Sequence, residues 1–559
     1  MNPRKTENVQ LENLLSEYFR SRSFFPYGAI RDDKSSIICN QDNTVHQKYS
    51  NNDDFTFEFK TFCSMTSLHG FIHIVENKFN RYEKWFWAIC LLAIYGLCGV
   101  AIYMLIFMFW EMPAIISLDN SVSSVWTLPF PAVTVCSANR ARLSVYNYTL
   151  ADVNNIDPND KLIRNTMYDV CEKYPPKKNS KFTAEFLDGP SVSKVLKGSI
   201  AIPKGLCNLS FTCEEIVKSF YWLRTLETDP CNLWFQETYT SYGLCHSFNM
   251  MPMGDLLNGM DEWSLENNHH WKNYESSWHP DTGYSENALV SHLPIRTFGD
   301  KDYHSATMQL DFHTNDSNQE CAKGLDVFYI LIHSPGEWPD KSHPTLLGTV
   351  GTLMTTSVKP VVVTTSNYLR NWDPELRSCY FQNEKKLKFF KVYTQKNCLL
   401  ECRTDLILTH CGCVPFHHFR IKNTPVCGPA KISCWETISH ISLSPCNCLP
   451  GCNEFSFKIS SMNAQFNTLT QESDESVSIS SMVLLSVYYQ HKNYIGLNRI
   501  MTFTFSQFMG NVGGIMGLCL GFSFLSLAEI VYFLTLRPFV NLCNTKRKRK
   551  QINPIYILE

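Results

Sequence analysis

Two long apolar runs interrupt an otherwise polar chain. The first, Trp85–Phe109, carries no charged residue; the second, about Phe508–Leu536, carries one, Glu529. About 20 apolar residues in a helix cross a bilayer core, so the pattern predicts transmembrane helices over 85–109 and 507–536. Between them the apolar positions come in short, partly alternating runs. Ala132–Cys136, Asp326–His333, Val361–Thr365 and Val477–Tyr489 read as strands. The polar stretch Asp255–Gly283 reads as irregular, with His269-His270 in a solvated loop rather than a metal site. The fold class is therefore membrane α+β: two transmembrane helices and a large mixed α/β domain over 110–506.

Flanking charge orients the spans. Lys78, Arg81 and Lys84 precede the first, and Arg537 and the basic run Lys546–Lys550 follow the second. Cations favour the cytoplasmic side, which puts 1–84 and 537–559 in the cytoplasm and the intervening domain outside. The basic tail also suits anionic lipid. No short apolar core with a small-residue cleavage site precedes the first span, so 1–84 does not read as a signal sequence. Cysteine usage agrees: 17 of 23 cysteines lie between the spans, where an oxidising exterior permits disulfides. The three glycosylation sequons, at Asn147, Asn208 and Asn315, lie there too. A net charge of −2 supplies no field for nucleic acid.

The cysteines are densest between Cys379 and Cys452. Cys398 and Cys402 are four apart and share a helix face, while Cys446 and Cys448 share one face of an extended segment. Those two faces can be crosslinked as a ladder. Zinc is the alternative, but Cys411-Gly412-Cys413 has one intervening residue where structural zinc sites usually have two to four. The second span is also unusual. Gly510, Gly514, Gly517 and Gly521 form one stripe on a helix, a face that lets membrane helices approach closely. Gly521-Phe522-Ser523 interrupts the span, and irregular backbone at that depth belongs where it lines water or protein. Its carbonyls and hydroxyl can replace part of an ion's hydration shell. Glu529, an ionisable group inside a span, is a functional candidate. Together these features predict an oligomeric, cation-favouring pore. The chain contains no HExxH and no Gly-x-Ser-x-Gly, so no enzymatic reaction is expected.

Several motifs, in order, resemble the degenerin/epithelial sodium channel superfamily, most closely its arthropod pickpocket branch. Ser67-Leu68-His69-Gly70 before the first span looks like the family's His-Gly gating motif. The segment from Phe130 to Asn139 is similar to its post-span strand, and Tyr242–Asn249 to its palm segment. Gly521-Phe522-Ser523 resembles its Gly-x-Ser selectivity filter, with Phe522 where a small residue is common. The Cys-rich block, with Cys446-Asn447-Cys448 and Cys452, looks most like the pickpocket type. An ATP-gated-type channel would lack the His-Gly and filter motifs, and a pore-less receptor would leave the glycine stripe and Glu529 unused.

The resemblance implies a subunit of a trimeric, sodium-selective, amiloride-sensitive-type channel of the plasma membrane, in sensory or epithelial cells. Its partners would be identical or related subunits and lipid, and it would conduct sodium without a cofactor. Gly521, Phe522 and Ser523 would form the filter, with the backbone of Phe522 lining the pore. His69 and Gly70 would lie on a re-entrant gating segment, and Gly510, Gly514, Gly517 and Glu529 would line or gate the pore. Gly517 falls at the family's amiloride-sensitive position and Gly510 at its degeneration position. Family pairing would join Cys136 with Cys245, Cys379 with Cys452, Cys398 with Cys448, Cys402 with Cys446, Cys411 with Cys434 and Cys413 with Cys427. It assigns no partners to the odd set Cys171, Cys207, Cys213, Cys231 and Cys321.

Overall fold

The computed structural model describes residues 60–111, 114–145, 147, 170–171, 210–258, 276–286, 293–299, 305–421, 424–428, 431–440, 446–466, 481–540 and 543. His269-His270, Asn208, Cys207, residues 477–480 and the basic run 546–550 lie outside them. The chain divides into two compact units, one of residues up to Leu91 together with those from Phe524 onward, the other from Leu92 to Ser523.

In the first unit a short helix α1 (Phe71–Val75) precedes the start of α2 (Arg81–Glu111). Helix α2 is long and apolar enough to cross a membrane. Only Cys98 on it is buried, while Leu92 and Leu97 lie exposed. An apolar surface of that extent is stable in lipid, not in water.

The second unit begins with β1 (Ala114–Ser124) and β2 (Ala132–Ser137), then β3 (Val217–Trp222), β4 (Thr225–Leu226), β5 (Phe235–Thr240) and β6 (Gly243–Phe248). A small hairpin, β7 (Trp278–His279) and β8 (Gly283–Tyr284), lies where Asp255–Gly283 was read as irregular. Then come β9 (Ala306–Asp311), β10 (Val327–His333), β11 (Thr345–Thr349) and β12 (Thr352–Thr365). Helices α3 (Gln395–Cys411) and α4 (Ile432–Ser439) precede β13 (Glu454–Gln465), β14 (Met482–Tyr489) and β15 (Asn493–Met501). One sheet runs β1-β15-β12-β14-β9-β3-β4, with β13 also on β12; the other runs β11-β10-β2-β6-β5. Side chains of both sheets, among them Phe220, Phe248, Phe328 and Tyr489, share one core with Phe130 of the loop before β2.

Strand β12 is longer than the run Val361–Thr365 suggests. Its first half, Thr352–Lys359, is Thr- and Ser-rich, yet alternate positions are buried and it pairs with both β13 and β14. Partners far along the chain, not local apolarity, make that segment a strand.

Among the described residues eight disulfides staple this unit. Cys136 and Cys245 face each other in register across β2 and β6. Helix α3 carries Cys398–Cys448 and Cys402–Cys446 on one face. Its end is tied to α4 by Cys411–Cys434, the next loop is closed by Cys413–Cys427, and Cys379–Cys452 closes the block. Two further bridges, Cys171–Cys321 and Cys213–Cys231, pair four of the five cysteines for which no partner was expected. Each bridge typically contributes about 2–4 kcal/mol. Among the described residues the free cysteines are Cys63, Cys90, Cys98, Cys519 and Cys543, all outside the bridged stretch. Asn315 is exposed on a short 3₁₀ turn (Thr314–Asp316) and Asn147 is half-buried.

A buried charge network joins the β10–β11 loop to α3. His343 Nε2 lies 3.1 Å from Glu337 and Nδ1 3.0 Å from Asp340, with Lys396 on Glu337 and Arg403 on Asp340. Burial opposes charge on His343, but the two carboxylates outweigh it and hold its pKa above the ordinary value. Burial, and then His343 itself, push neighbouring His333 down to about 3. A histidine with a raised folded pKa stabilises fully below its unfolded pKa, about 6.5, and loses that contribution as pH rises through the folded value. The unfolding temperature should therefore decline as pH rises above about 6.5 and through the raised folded value. His343→Gln should flatten that decline, read as melting temperature against pH; an unaltered slope would remove His343 from the account.

Candidate functional site

The second apolar run is built as two helices, not one. Helix α5 (Phe505–Leu520) starts at a capping box: Gln507 N–H donates to Thr504 Oγ1, and Thr504 N–H donates to Gln507 Oε1 at 2.9 Å. It ends at Gly521, whose φ of 66° is left-handed. Gly521 N–H donates to the Gly517 carbonyl at 2.9 Å and Phe522 N–H to the Met516 carbonyl at 3.3 Å, closing a C-cap. A residue with a Cβ in that conformation costs about 1–2 kcal/mol, so glycine places the break here. The interruption read at Gly521–Ser523 is thus a break between helices: α6 (Phe524–Val531) follows, and residues Tyr532–Leu536 continue as π-helix. The pair passes as a membrane span only when counted together across its break.

The glycine stripe lies on α5. A Cβ added at Gly510, Gly513 or Gly514 would meet nothing within 4 Å in this chain, whereas at Gly517 it would lie 3.8 Å from the Phe522 carbonyl oxygen. Gly517 thus packs against the backbone of the Gly521–Ser523 segment. Phe522 is half-buried and Ser523 exposed.

In the other unit, α6 braces the segment before α1. Ser67 N–H donates to Glu529 Oε2 at 2.8 Å, the Thr66 hydroxyl reaches the same oxygen at 3.3 Å, and Ser67 Oγ lies 2.6 Å from Ser526 Oγ. Glu529, read in the sequence as a pore-lining acid, has this bracing contact as well. No local signal foretells it, because its partners lie more than 460 residues away in sequence. Next to it, Gly70 has φ 88°, and a Cβ there would lie 2.6 Å from Leu91 Cδ2. His73 stacks on Trp87 at 4.5 Å, while His69 is exposed. Gly70→Ala should cost about 1–2 kcal/mol locally through its left-handed backbone and displace His69. We expect reduced current at unchanged surface labelling; full current would show that the turn tolerates a side chain.

At the other end of the spans, β1 and β15 pair antiparallel from Ala114 opposite Met501. The strand that leaves α2 is thus bonded to the strand that enters α5. Phe109 packs on Phe508 at 4.8 Å and on Trp372 at 6.1 Å. The loop bearing Trp372 is held by Arg377, a fully buried arginine that sequence patterning does not single out.

A domain stapled by eight bridges, paired directly into an apolar helix and a glycine-broken one, defines the class: an ion-channel subunit with a disulfide-rich mixed α/β extracellular domain. The chain belongs to the amiloride-sensitive sodium channel family, whose model matches residues 62–533. Pickpocket protein 28 of Drosophila melanogaster is 27% identical over 510 residues, 87% of this chain and 79% of that protein. Acid-sensing ion channel 1C of Danio rerio is 22% identical over 515 residues, 85% of this chain and 83% of that protein. A solved proton-activated chloride channel covers 80% of this chain and 96% of its own at a TM-score of 0.26 and 7% identity, too distant to bear on the fold. The pickpocket relative fits the branch that the Cys-rich block resembles.

Proposed function

We propose that this chain is one of three subunits, identical or related, of a sodium-selective channel in the plasma membrane. The observation that carries the reading is the break at Gly521. It frees the carbonyls around Gly521–Ser523 from the helical ladder, the arrangement a filter needs to replace water around a cation. Gly510 and Gly514, the part of the stripe that meets nothing in its own chain, mark the face that three copies of α5 would bring together. In this reading the peptide groups of Phe522 line the pore and its ring faces away. The division between bridged cysteines at 136–452 and free thiols on either side supports an outside domain with both termini in the cytoplasm. Sodium is cargo here, and no cofactor is needed.

The test is whole-cell current from the chain expressed alone, with external sodium exchanged for a large organic cation and amiloride added afterwards. Inward current that vanishes without sodium and returns with it is the expected result. A current that persists in the organic cation would overturn sodium selectivity. Current that appears only on co-expression of a related subunit would replace the homotrimer with a heterotrimer.

A further inference from the structure

Helices α2 and α5 meet in register. Phe109 of α2 packs on Phe508 of α5 at 4.8 Å. Eleven residues from those rings along each helix stand Cys98 and Cys519, and their thiols share a side-chain hydrogen bond. Eleven residues are about 16 Å of α-helix, so two contacts that far apart define an antiparallel pairing of one face of α2 with one face of α5. The burial pattern agrees. Cys98, Ile102 and Leu105 on α2, and Val512, Ile515 and Cys519 on α5, are at least half-buried and recur every three or four residues. Cys98, at 3% exposure, is the one buried residue of α2.

A single cysteine in a span is a small apolar residue, and its reactivity rather than its packing gives it a role. Here a second thiol already stands against the first, from the other helix. Both are free, unlike the sixteen bridged cysteines of the extracellular domain. Cys519 is half-buried in the last turn of α5, two residues before Gly521. Cys98 is the more deeply covered of the two, so a small oxidant reaches Cys519 first and finds Cys98 poised to resolve it.

We propose that Cys98 and Cys519 are a peroxide-sensitive pair that closes to a disulfide and locks the end of α5 to α2. Hydrogen peroxide, small and uncharged, is the oxidant. Cys519 Sγ attacks one peroxide oxygen, the O–O bond breaks, and a sulfenic acid forms while the other oxygen leaves as water with the thiol proton. Cys98 Sγ then attacks the Cys519 sulfur, the S–O bond breaks, and a second water carries off the hydroxyl with the Cys98 proton. Two thiols and one peroxide give one disulfide and two waters; the sulfurs lose two electrons and the peroxide gains them. The bond holds α2 against the turn that sets Gly521–Ser523. Its effect on conduction rests on the channel reading; the bond itself does not.

The test is peroxide titration of the purified full-length protein in lipid nanodiscs, followed by alkylation, digestion and peptide mass spectrometry without reductant. The peptides carrying Cys98 and Cys519 should be recovered joined, from protein that still runs as a monomer on a denaturing, non-reducing gel, and dithiothreitol should separate them. Cys98→Ser should leave Cys519 as a sulfenic acid that dimedone traps, and Cys90→Ser should leave the crosslink intact. Hydrogen exchange reads the lock: backbone amides over 517–524 should exchange at least about tenfold more slowly in the oxidised protein than in the reduced one, and no more slowly in peroxide-treated Cys98→Ser. None of these readouts needs current, so failure here is separate from failure of the channel reading. Cys98 and Cys519 recovered singly at peroxide that oxidises other free thiols of the chain, a crosslink between subunits, or a crosslink without slower exchange would overturn the proposal.

Discussion

Gly510→Val should hold the channel open, raising resting sodium current by about tenfold or more over the unsubstituted chain. Nothing in the chain itself lies within 4 Å of a Cβ at Gly510, so added bulk has no neighbour to strain inside one subunit. Valine is also a better helix residue than glycine, so α5 itself should not suffer. The remaining place for bulk to act is the approach of helices from neighbouring subunits, which small residues make possible. A closed pore needs that approach and an open one does not, so bulk biases the equilibrium toward open. A tenfold shift needs about 1.4 kcal/mol of difference between the states, well within the cost of a buried clash. The effect should grow from alanine through serine to valine. Single-channel recording of open probability reads it directly; a value unchanged across the series would separate Gly510 from the gate.

Arg377→Met should cost about 3–5 kcal/mol, the usual penalty for breaking a buried, hydrogen-bonded charge pair. Arg377 is 1% exposed. Its Nη1 donates to the carbonyls of Leu369, Arg370 and Trp372, its Nε donates to the carbonyl of Cys379 at 3.2 Å, and its Nη2 meets Glu384. The guanidinium also lies over the Phe381 ring. Methionine fills much of the volume but leaves four carbonyls and a carboxylate without this donor. Lysine restores the charge without the planar fork, so Arg377→Lys should fall between. The functional consequence follows from Trp372, whose loop this arginine holds and whose ring packs on Phe109 at the end of α2. Thermal unfolding of the purified protein reads the stability loss, and surface labelling reads the accompanying loss of delivery. Melting within a degree or two of the unsubstituted protein would show that water replaces the arginine.

Much of the architecture is written locally. The uncharged run at 85–109 announces its helix because length and apolarity are counted along the chain. Gly521 announces a break because only glycine occupies φ near +66° cheaply. Cys398 and Cys402 announce a shared helix face because four residues are about one turn. Features made by distant partners or by burial were not legible. The Ser67–Glu529 contact and the polar half of β12 depend on residues or strands far along the chain, while the Arg377 hub and the His343 triad, whose partners lie within eight residues, depend on burial that folding creates. A lone acid, arginine or histidine looks the same in sequence whether it is solvated or buried in a network.

The sequence by itself determined the two apolar runs, the glycine stripe, the cysteine-dense block and the order of motifs, since each is a matter of spacing along one chain. The tertiary structure decided that Glu529 braces the segment before Gly70, and that Cys171 pairs with Cys321 and Cys213 with Cys231. It also decided which charges are buried, because desolvation and hydrogen bonding are properties of surroundings that folding alone creates.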